Sequence, residues 1–156
     1  IKQGPGYNKV VETSTVQKSY VGAGAMRFAT ADGAMEPIGS RIIVLPQDPA
    51  RAHLRDPKSG FIDYVPVGSI AKGAALMAGG DGRTIPCTIC HGPTLKGLGE
   101  VPGIAGRPAT YIFRQLNDMK NGSRKGAWVE LMKAVVAKLT DDDMIALAAY
   151  LGSLDR

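Results

Sequence analysis

The chain has 156 residues, and 44% of them are apolar, which is enough for one globular domain with a hydrophobic core. Its 19 basic and 14 acidic residues give a net charge of +5, but the basic residues are scattered, so nucleic-acid binding is not expected. No apolar run approaches the roughly 18–20 residues of a membrane-spanning helix, so the chain is not expected to span a membrane.

The first part of the chain, residues 1–65, has the pattern of strands and loops. Residues 10–16 and 41–45 are rich in β-prone side chains, and both runs predict short strands. Turn signals lie between and after these runs, at Asp32-Gly33, Glu36-Pro37, Asp48-Pro49 and 56–60. The apolar periodicity is too weak for an independent core. We therefore expect an N-terminal extension of loops and short strands, with room for one small hairpin, that packs on the rest of the chain.

The second part, residues 66–156, is predicted to be mainly helical. Ser69 can cap a helix over residues 70–78, and the glycine pair that follows would end it. A proline opens a second helix at 108–121, where the apolar residues have helical spacing. The intervening residues 92–107 are rich in glycine and proline and predict no regular element.

Two further helices are predicted near the C-terminus. Residues 129–138 can form a short helix. Thr140 can cap the last helix, whose first turn holds three aspartates that favour the positive end of a helix dipole, and Gly152 would end it.

The strongest chemical signal is the motif C-x-x-C-H formed by Cys87, Cys90 and His91. This spacing is the signature of c-type haem attachment, in which two thiols add to the haem vinyl groups and the next histidine ligates the iron. A redox cysteine pair would need a βαβ pattern around it, and none is predicted. A zinc site would need two further ligands, and His53 is the one other histidine. One covalent haem c is therefore the expected cofactor.

The sixth iron ligand is harder to choose from the residues alone. Six methionines are candidates: Met26, Met35, Met77, Met119, Met132 and Met144. Three of them lie on predicted apolar helix faces, where core packing is the simpler explanation. Met132 follows a polar, glycine-containing stretch about forty residues beyond His91, so the chain could return over the opposite haem face. Core packing on the 129–138 helix is the alternative for Met132.

Residues 66–154 resemble a class I c-type cytochrome domain, and in particular the domains of bacterial periplasmic cytochromes that carry two haems in tandem. The resemblance rests on seven landmarks in order, which are Cys90-His91-Gly92, the run 102–106, Tyr111 with Gln115-Leu116, Gly122-Ser123-Arg124, Leu131-Met132, Leu139-Thr140-Asp141 and the run 147–150. It implies a mainly α fold of the class I cytochrome c type, with helices around one haem in residues 66–156.

The resemblance also implies roles for individual residues. Met132 falls where the family places its distal ligand, so His91 and Met132 would be the two iron ligands. Pro102 falls where a proline carbonyl accepts a hydrogen bond from the proximal histidine. Arg124 and Trp128 would lie near the haem edge as partners of a propionate, with plain solvent exposure as the alternative.

The remaining implications concern a ring near the haem and one helix crossing. Tyr111 is counted among the haem-contacting residues. Gly73 and Met77 would face Leu147 and Tyr150 where the first and last helices cross, and a glycine there would permit close approach. The alternative for Gly73 is that it only weakens its helix.

One departure from the family pattern bears on function. Residues 1–65 contain no second C-x-x-C-H, and residues 55–69 resemble the linker between two haem domains. The chain thus resembles a mono-haem version or the C-terminal portion of a longer protein, and self-association or a stable enzyme partner could use the extension. Because c-type haem is attached outside the cytoplasm, a bacterial periplasmic location is expected, with the signal peptide outside this sequence.

Three functions follow from these features. The first is an electron carrier, not an enzyme, that takes single electrons from one redox protein and gives them to another. The second is a haem-bearing electron-transfer subunit or fragment of a larger oxidoreductase. The third, a catalytic or gas-sensing haem, would need an open iron position, and no second catalytic residue is predicted.

Overall fold

The structure, a computed structural model, describes residues 8–156. The described strands are Asn8–Thr13 (β1), Thr15–Gln17 (β2), Ser19–Val21 (β3), Arg27–Ala29 (β4), Met35–Pro37 (β5), Ile43–Pro46 (β6), Phe61–Pro66 (β7), Gly97–Leu98 (β8) and Val101–Pro102 (β9). The described helices are Pro49–His53 (α1), Ser69–Met77 (α2), Thr88–His91 (α3), Ala109–Lys120 (α4), Val129–Val136 (α5) and Asp141–Ser153 (α6). Within residues 8–156, no helix is both long and apolar enough to cross a membrane.

The main core lies between α2, α4 and α6. Helix α6 is its centre, and nine of the thirteen residues of that helix are buried. At the crossing of α2 and α6, a Cβ atom added at Gly73 would lie 2.1 Å from the carbonyl oxygen of Ala146 and 2.6 Å from Cβ of Tyr150. Only glycine permits this approach, so the expected close crossing of the first and last helices at Gly73 is confirmed.

The N-terminal part contains more regular structure than the sequence predicts. Its main sheet has the order β1-β7-β6, with β7 parallel to β1 and antiparallel to β6. Two small antiparallel pairs, β2 with β5 and β3 with β4, complete this part. The predicted single strand over 10–16 is interrupted at Ser14, and the expected turn at Asp48-Pro49 is instead the beginning of α1, which Asp48 caps.

A separate apolar cluster fills the N-terminal part, although the sequence predicts no independent core there. Its buried members are Val16, Ile38, Ile43 and Leu45. Ile43 and Leu45 alternate on β6, and Ile38 lies five residues before Ile43, whereas Val16 comes from β2, which pairs with β5 directly before Ile38. Local periodicity indicates the strand that carries Ile43 and Leu45, but it could not show that Val16 packs with them.

The sheet is joined to the helices by two carboxylates. Glu12 of β1 accepts a hydrogen bond of 2.7 Å from the backbone nitrogen of Ile70, in the first turn of α2. Asp63 of β7 accepts one of 2.7 Å from the backbone nitrogen of Ala109, the first residue of α4. The expectation that Ser69 caps α2 is therefore wrong: Ser69 is the first helical residue, and Glu12 supplies the acceptor from 58 residues away.

The beginnings of α4 and α6 follow the local sequence signals, but the expectation that Gly152 ends α6 is wrong, because α6 continues to Ser153. Helix α6 begins at a capping box in which the side chains of Thr140 and Asp143 each accept a hydrogen bond from the other's backbone nitrogen. Helix α4 begins directly after Pro108, as predicted. Helix α5 ends at Val136, two residues earlier than predicted.

Candidate haem-binding site

The C-x-x-C-H motif forms a short helix of its own. Cys87 stands at the beginning of α3, and its carbonyl accepts a hydrogen bond of 2.9 Å from the His91 backbone nitrogen. The Cys87 backbone nitrogen donates to the carbonyl of Met77 at 3.0 Å, which fixes the motif to the end of α2. Cys87 is half-buried and Cys90 is exposed, and both thiols are free.

The environment of Cys87 does not favour thiolate redox chemistry. Burial, with a smaller contribution from the nearby Cys90, raises the pKa of the Cys87 thiol to about 11. Cysteine pairs in redox enzymes have a lowered thiol pKa, because the thiolate is the reactive form. The two free thiols beside a histidine therefore suit haem attachment better than disulfide exchange.

His91 is buried and oriented by a backbone carbonyl. Its Nδ1 atom lies 2.7 Å from the carbonyl oxygen of Pro102, which is the contact that the family resemblance predicts. A carbonyl can only accept, so Nδ1 carries the hydrogen and the lone pair is on Nε2. The bond to Pro102 fixes the orientation of the ring. Nε2 makes no hydrogen bond to residues 8–156, so this nitrogen is free to bind a metal.

A small hairpin holds the Pro102 carbonyl in place, although the sequence predicts no regular element over 92–107. Strands β8 and β9 pair antiparallel, with Gly97 opposite Pro102. Gly97 has a φ of +104°, and a Cβ atom at Gly103 would lie 2.6 Å from the carbonyl oxygen of Lys96. Glycine is thus required for the tight path of this loop.

The predicted distal ligand lies on α5. Met132 is half-buried and packs against the main core. Large apolar side chains remain exposed close in the chain to the predicted ligands, namely Ile85 and Ile89 next to the cysteines and Trp128 and Leu131 next to Met132. Such side chains, with a histidine nitrogen and a thioether as donors, fit a large apolar haem and its iron.

The other predicted haem contacts are less closely tied to the motif. Arg124 donates through Nη1 to Oε1 of Gln115 at 2.5 Å, and Trp128 and Tyr111 are exposed. No hydrogen bond among the described residues joins Arg124, Trp128 or Tyr111 to the Cys87–His91 motif. Their contact with haem remains a prediction.

Two contacts beside the motif escaped the sequence analysis. Thr84, three residues before Cys87, donates through Oγ1 to the carbonyl of Val135 on α5 at 2.8 Å. Arg83 lies 3.0 Å from Oδ1 of Asp143, which Lys72 also contacts at 2.8 Å. Both contacts join residues more than fifty positions apart, so no local sequence signal could have indicated them.

Asp143 is a buried carboxylate between two cations. Burial alone raises the pKa of its carboxyl group, but the hydrogen bond from Lys72 and the bonds with Thr140 outweigh that effect and lower the pKa to about 2. The carboxylate therefore stays charged at neutral pH and links α6 to α2 and to the segment that precedes Cys87.

Two free thiols, a carbonyl-oriented histidine and a bundle of crossing helices together define a domain of the covalent haem-binding class. A family model described as cytochrome c matches residues 70–155, more than half of the chain. The chain therefore belongs to the cytochrome c family, whose domain carries covalently attached haem c.

Known proteins similar to this chain include cytochromes and electron acceptors. A cytochrome c4 of Pseudomonas aeruginosa is 34% identical over 90 residues, which are 54% of this chain and 45% of that protein. A thiosulfate dehydrogenase electron acceptor of Thiomonas intermedia (strain K12) is 33% identical over 141 residues, 88% of this chain and 64% of that protein. The chain thus spans less than two thirds of either relative's length.

A smaller relative and a solved structure are also similar to part of this chain. A cytochrome c-554(548) of Halomonas halodenitrificans is 34% identical over 81 residues, which are 51% of this chain and 98% of that protein. The crystal structure of reduced recombinant cytochrome c4 from Pseudomonas stutzeri has a TM-score of 0.52 at 32% identity, and the match covers 62% of this chain and 54% of that one. These matches agree with a class I cytochrome c fold.

Proposed function

We propose that this chain transfers single electrons between redox proteins through one haem c, attached by Cys87 and Cys90 and ligated by His91 and Met132. The observation that carries the proposal is the 2.7 Å contact between Nδ1 of His91 and the carbonyl of Pro102. It fixes the tautomer that leaves Nε2 available to iron, directly beside two free thiols. When bound, haem supplies an iron that changes its oxidation state by one electron at a potential that the axial ligands control.

The count of cysteines supports a single haem in this chain. Two thioether bonds consume two thiols, and the chain has two cysteines in all. The mass of the purified protein should therefore exceed the mass of the chain by one haem. A mass increase of two haems would contradict this part of the proposal.

Met132 is supported by its place in the structure and by the family resemblance. It lies half-buried on α5, whereas Met144 is fully buried inside α6 and Met35 is exposed on β5. Met77 and Met119 are also partly buried against the main core, so they are the rival thioethers that an experiment must separate from Met132.

Substitution of the proposed ligand provides the test. We expect the oxidised protein to show the weak sulfur-to-iron absorption band of methionine-ligated haem, and Met132→Ala to abolish it because Ala has no thioether. Met119→Ala, which removes a half-buried methionine from α4, is the matched control and should keep the band. Persistence of the band in Met132→Ala would exclude Met132 as the ligand.

The proposed setting is a bacterial periplasm, with protein donors and acceptors of electrons. Covalent haem attachment of this type takes place outside the cytoplasm, and similar proteins include an electron acceptor of thiosulfate dehydrogenase. A set of exposed basic side chains could border the docking surface, namely Arg107, Arg114, Lys120, Arg124 and Lys125. Contacts of this kind are small and transient, below about 1,200 Å².

A second candidate is a haem-bearing electron-transfer subunit of a larger oxidoreductase. The thiosulfate dehydrogenase electron acceptor matches 88% of this chain, which is possible only if most of residues 1–65 are included in the match. A cytochrome subunit of sulfide dehydrogenase from Chlorobaculum tepidum is also similar, at 28% identity. Co-purification with an enzyme through size-exclusion chromatography at physiological salt would favour the subunit, whereas elution alone would favour the free carrier.

A further inference from the structure

Helix α5, which carries Met132, depends on contacts with the rest of the protein for its position. It has eight residues, fewer than the roughly 12–15 that a helix needs to be marginally stable alone, so its place depends on tertiary contacts. Only Val129 and Val136 of these eight are buried, and residues 121–128 before it are all exposed. The helix is therefore held along one face, and the segment before it adds no buried side chain.

One side-chain hydrogen bond reaches α5 from another part of the described chain. Thr84 donates through Oγ1 to the carbonyl oxygen of Val135 at 2.8 Å. A regular helix would give that carbonyl the backbone nitrogen of Leu139, but Leu139 donates to Val136 instead, at 3.1 Å. The Thr84 hydroxyl thus satisfies a carbonyl that the helix end leaves free, one turn after Met132.

The segment that carries Thr84 is hydrogen-bonded through its backbone to the end of α2 and the residues just after it. The backbone nitrogen of Thr84 donates to the carbonyl of Gly79 at 3.3 Å, and the backbone nitrogen of Cys87 donates to the carbonyl of Met77 at 3.0 Å. The segment before the haem-attachment motif is therefore fixed at two points to the end of α2. The side chain of Thr84 is itself buried.

We propose that Thr84 is a positioning residue for the axial ligand: its hydroxyl ties α5 to the segment that leads into Cys87 and His91, and so holds Met132 at a fixed place relative to the attachment motif. The inference rests on the proposed role of Met132. It assigns Thr84 no contact with the haem or the iron. Its effect passes through the Val135 carbonyl, three residues from the ligand.

The test compares three variants of the haem-loaded full chain by carbon monoxide binding to the reduced protein. Thr84→Val keeps the shape of the side chain but removes the donor, so the bond between Met132 and iron should open more often and the binding rate should rise about tenfold, the factor expected for loss of one buried hydrogen bond. Thr84→Ser keeps the hydroxyl and should bind carbon monoxide at the wild-type rate. Val16→Ala, which opens a cavity in the separate N-terminal cluster, controls for general loss of stability.

The outcomes separate this inference from the proposed function. A faster rate in Thr84→Val alone, with a weakened sulfur-to-iron band, supports the inference. Three results would each overturn the inference: equal binding rates in Thr84→Val and wild type, an equal rise of the rate in Val16→Ala, or a rise in Thr84→Ser as well. The proposed function would still stand if Met132→Ala abolishes the sulfur-to-iron band. If the wild type lacks the band, Met132 is excluded as the ligand, and the inference about Thr84 is excluded with it. Thr84→Ala replaces Thr84→Val if the latter does not take up haem.

Discussion

Among single residues, Asp63 is a buried carboxylate that joins the N-terminal sheet to the helices. It is fully buried on β7, where its carboxylate accepts hydrogen bonds from the side-chain amide of Asn8 and from the backbone nitrogen of Ala109. Burial raises the pKa of this carboxyl group, and the two donors counter part of that rise. A polar group this deep in a protein is tolerated only because both of its oxygens have partners.

Substitutions at Asp63 should have graded effects on stability. Asp63→Ala leaves the Ala109 nitrogen without an acceptor and removes both bonds, so we expect the free energy of unfolding to fall by about 2–3 kcal/mol. Asp63→Asn should reduce it by less than about 1 kcal/mol, because the amide of Asn8 can turn to offer its oxygen to the new amide group. Urea denaturation measures both, with the exposed Asp142→Asn as a control. Equal losses in the two Asp63 variants would contradict the assigned hydrogen bonds.

Among the helices, the crossing of α2 and α6 depends on one missing side chain. Ala normally favours a helix over Gly by about 1 kcal/mol. At Gly73, however, a methyl group would overlap the Ala146 backbone, and backbone cannot move aside cheaply. We expect Gly73→Ala to lower the free energy of unfolding by about 3 kcal/mol, with the exposed Ala71→Gly on the same helix losing only about 1 kcal/mol. A stabilised Gly73→Ala protein would mean that the helices separate easily.

How far the elements could be predicted depended on where their determinants lie in the chain. The beginnings of α4 and α6 follow from Pro108 and from the Thr140–Asp143 box, which are local signals. Strand β7 was missed because residues 61–66 were assigned to a linker, although the alternation of buried Asp63 and Val65 is strand-like. It becomes a central strand only through its parallel pairing with β1, about fifty residues earlier. The sequence of α2 could not disclose that its capping acceptor is Glu12.

The same distinction applies to the haem site. The motif itself and the pairing of His91 with Pro102 follow from one contiguous segment, residues 87–102, and a family pattern. The hairpin that carries Pro102 was not expected, because two-residue strands have no periodicity to detect. Thr84 could not be found, because a threonine hydroxyl becomes informative only when the fold brings a free carbonyl to it.

In the whole molecule, the N-terminal part acts as a support for the helical part. A relative matched over 98% of its length aligns with only 81 residues of this chain, so a family member of that size exists. Here the sheet supplies acceptors to the first turns of both α2 and α4, and a Cβ atom at Gly152 of α6 would lie 3.2 Å from the side chain of Val10. Residues 8–65 thus contribute directly to the stability of the haem-binding helices.

Acid should weaken the molecule through Asp143, because this carboxylate joins α6, α2 and the segment before Cys87. Its pKa falls from 3.8 to about 2 on folding, so the stability that it contributes is complete above about pH 4 and is lost as the pH falls through 2. We expect this contribution to be on the order of 1–2 kcal/mol, since its two cationic partners are about half exposed and solvent weakens the attraction. Asp63, whose pKa is raised, works in the opposite direction and favours the folded state at low pH.

The effect of Asp143 can be separated from the effects of the other acid-sensitive groups by comparing the wild type with Asp143→Asn. Unfolding free energies of the wild type and Asp143→Asn are compared between about pH 5 and pH 2, where Asp63 and the other carboxyl groups contribute equally to both. The advantage of the wild type should shrink steadily toward pH 2, because protonation then removes from the wild type the same charge that the substitution removes. A constant advantage across this range would show that Asp143 stabilises the protein by shape and hydrogen bonding alone, and not by its charge between Lys72 and Arg83.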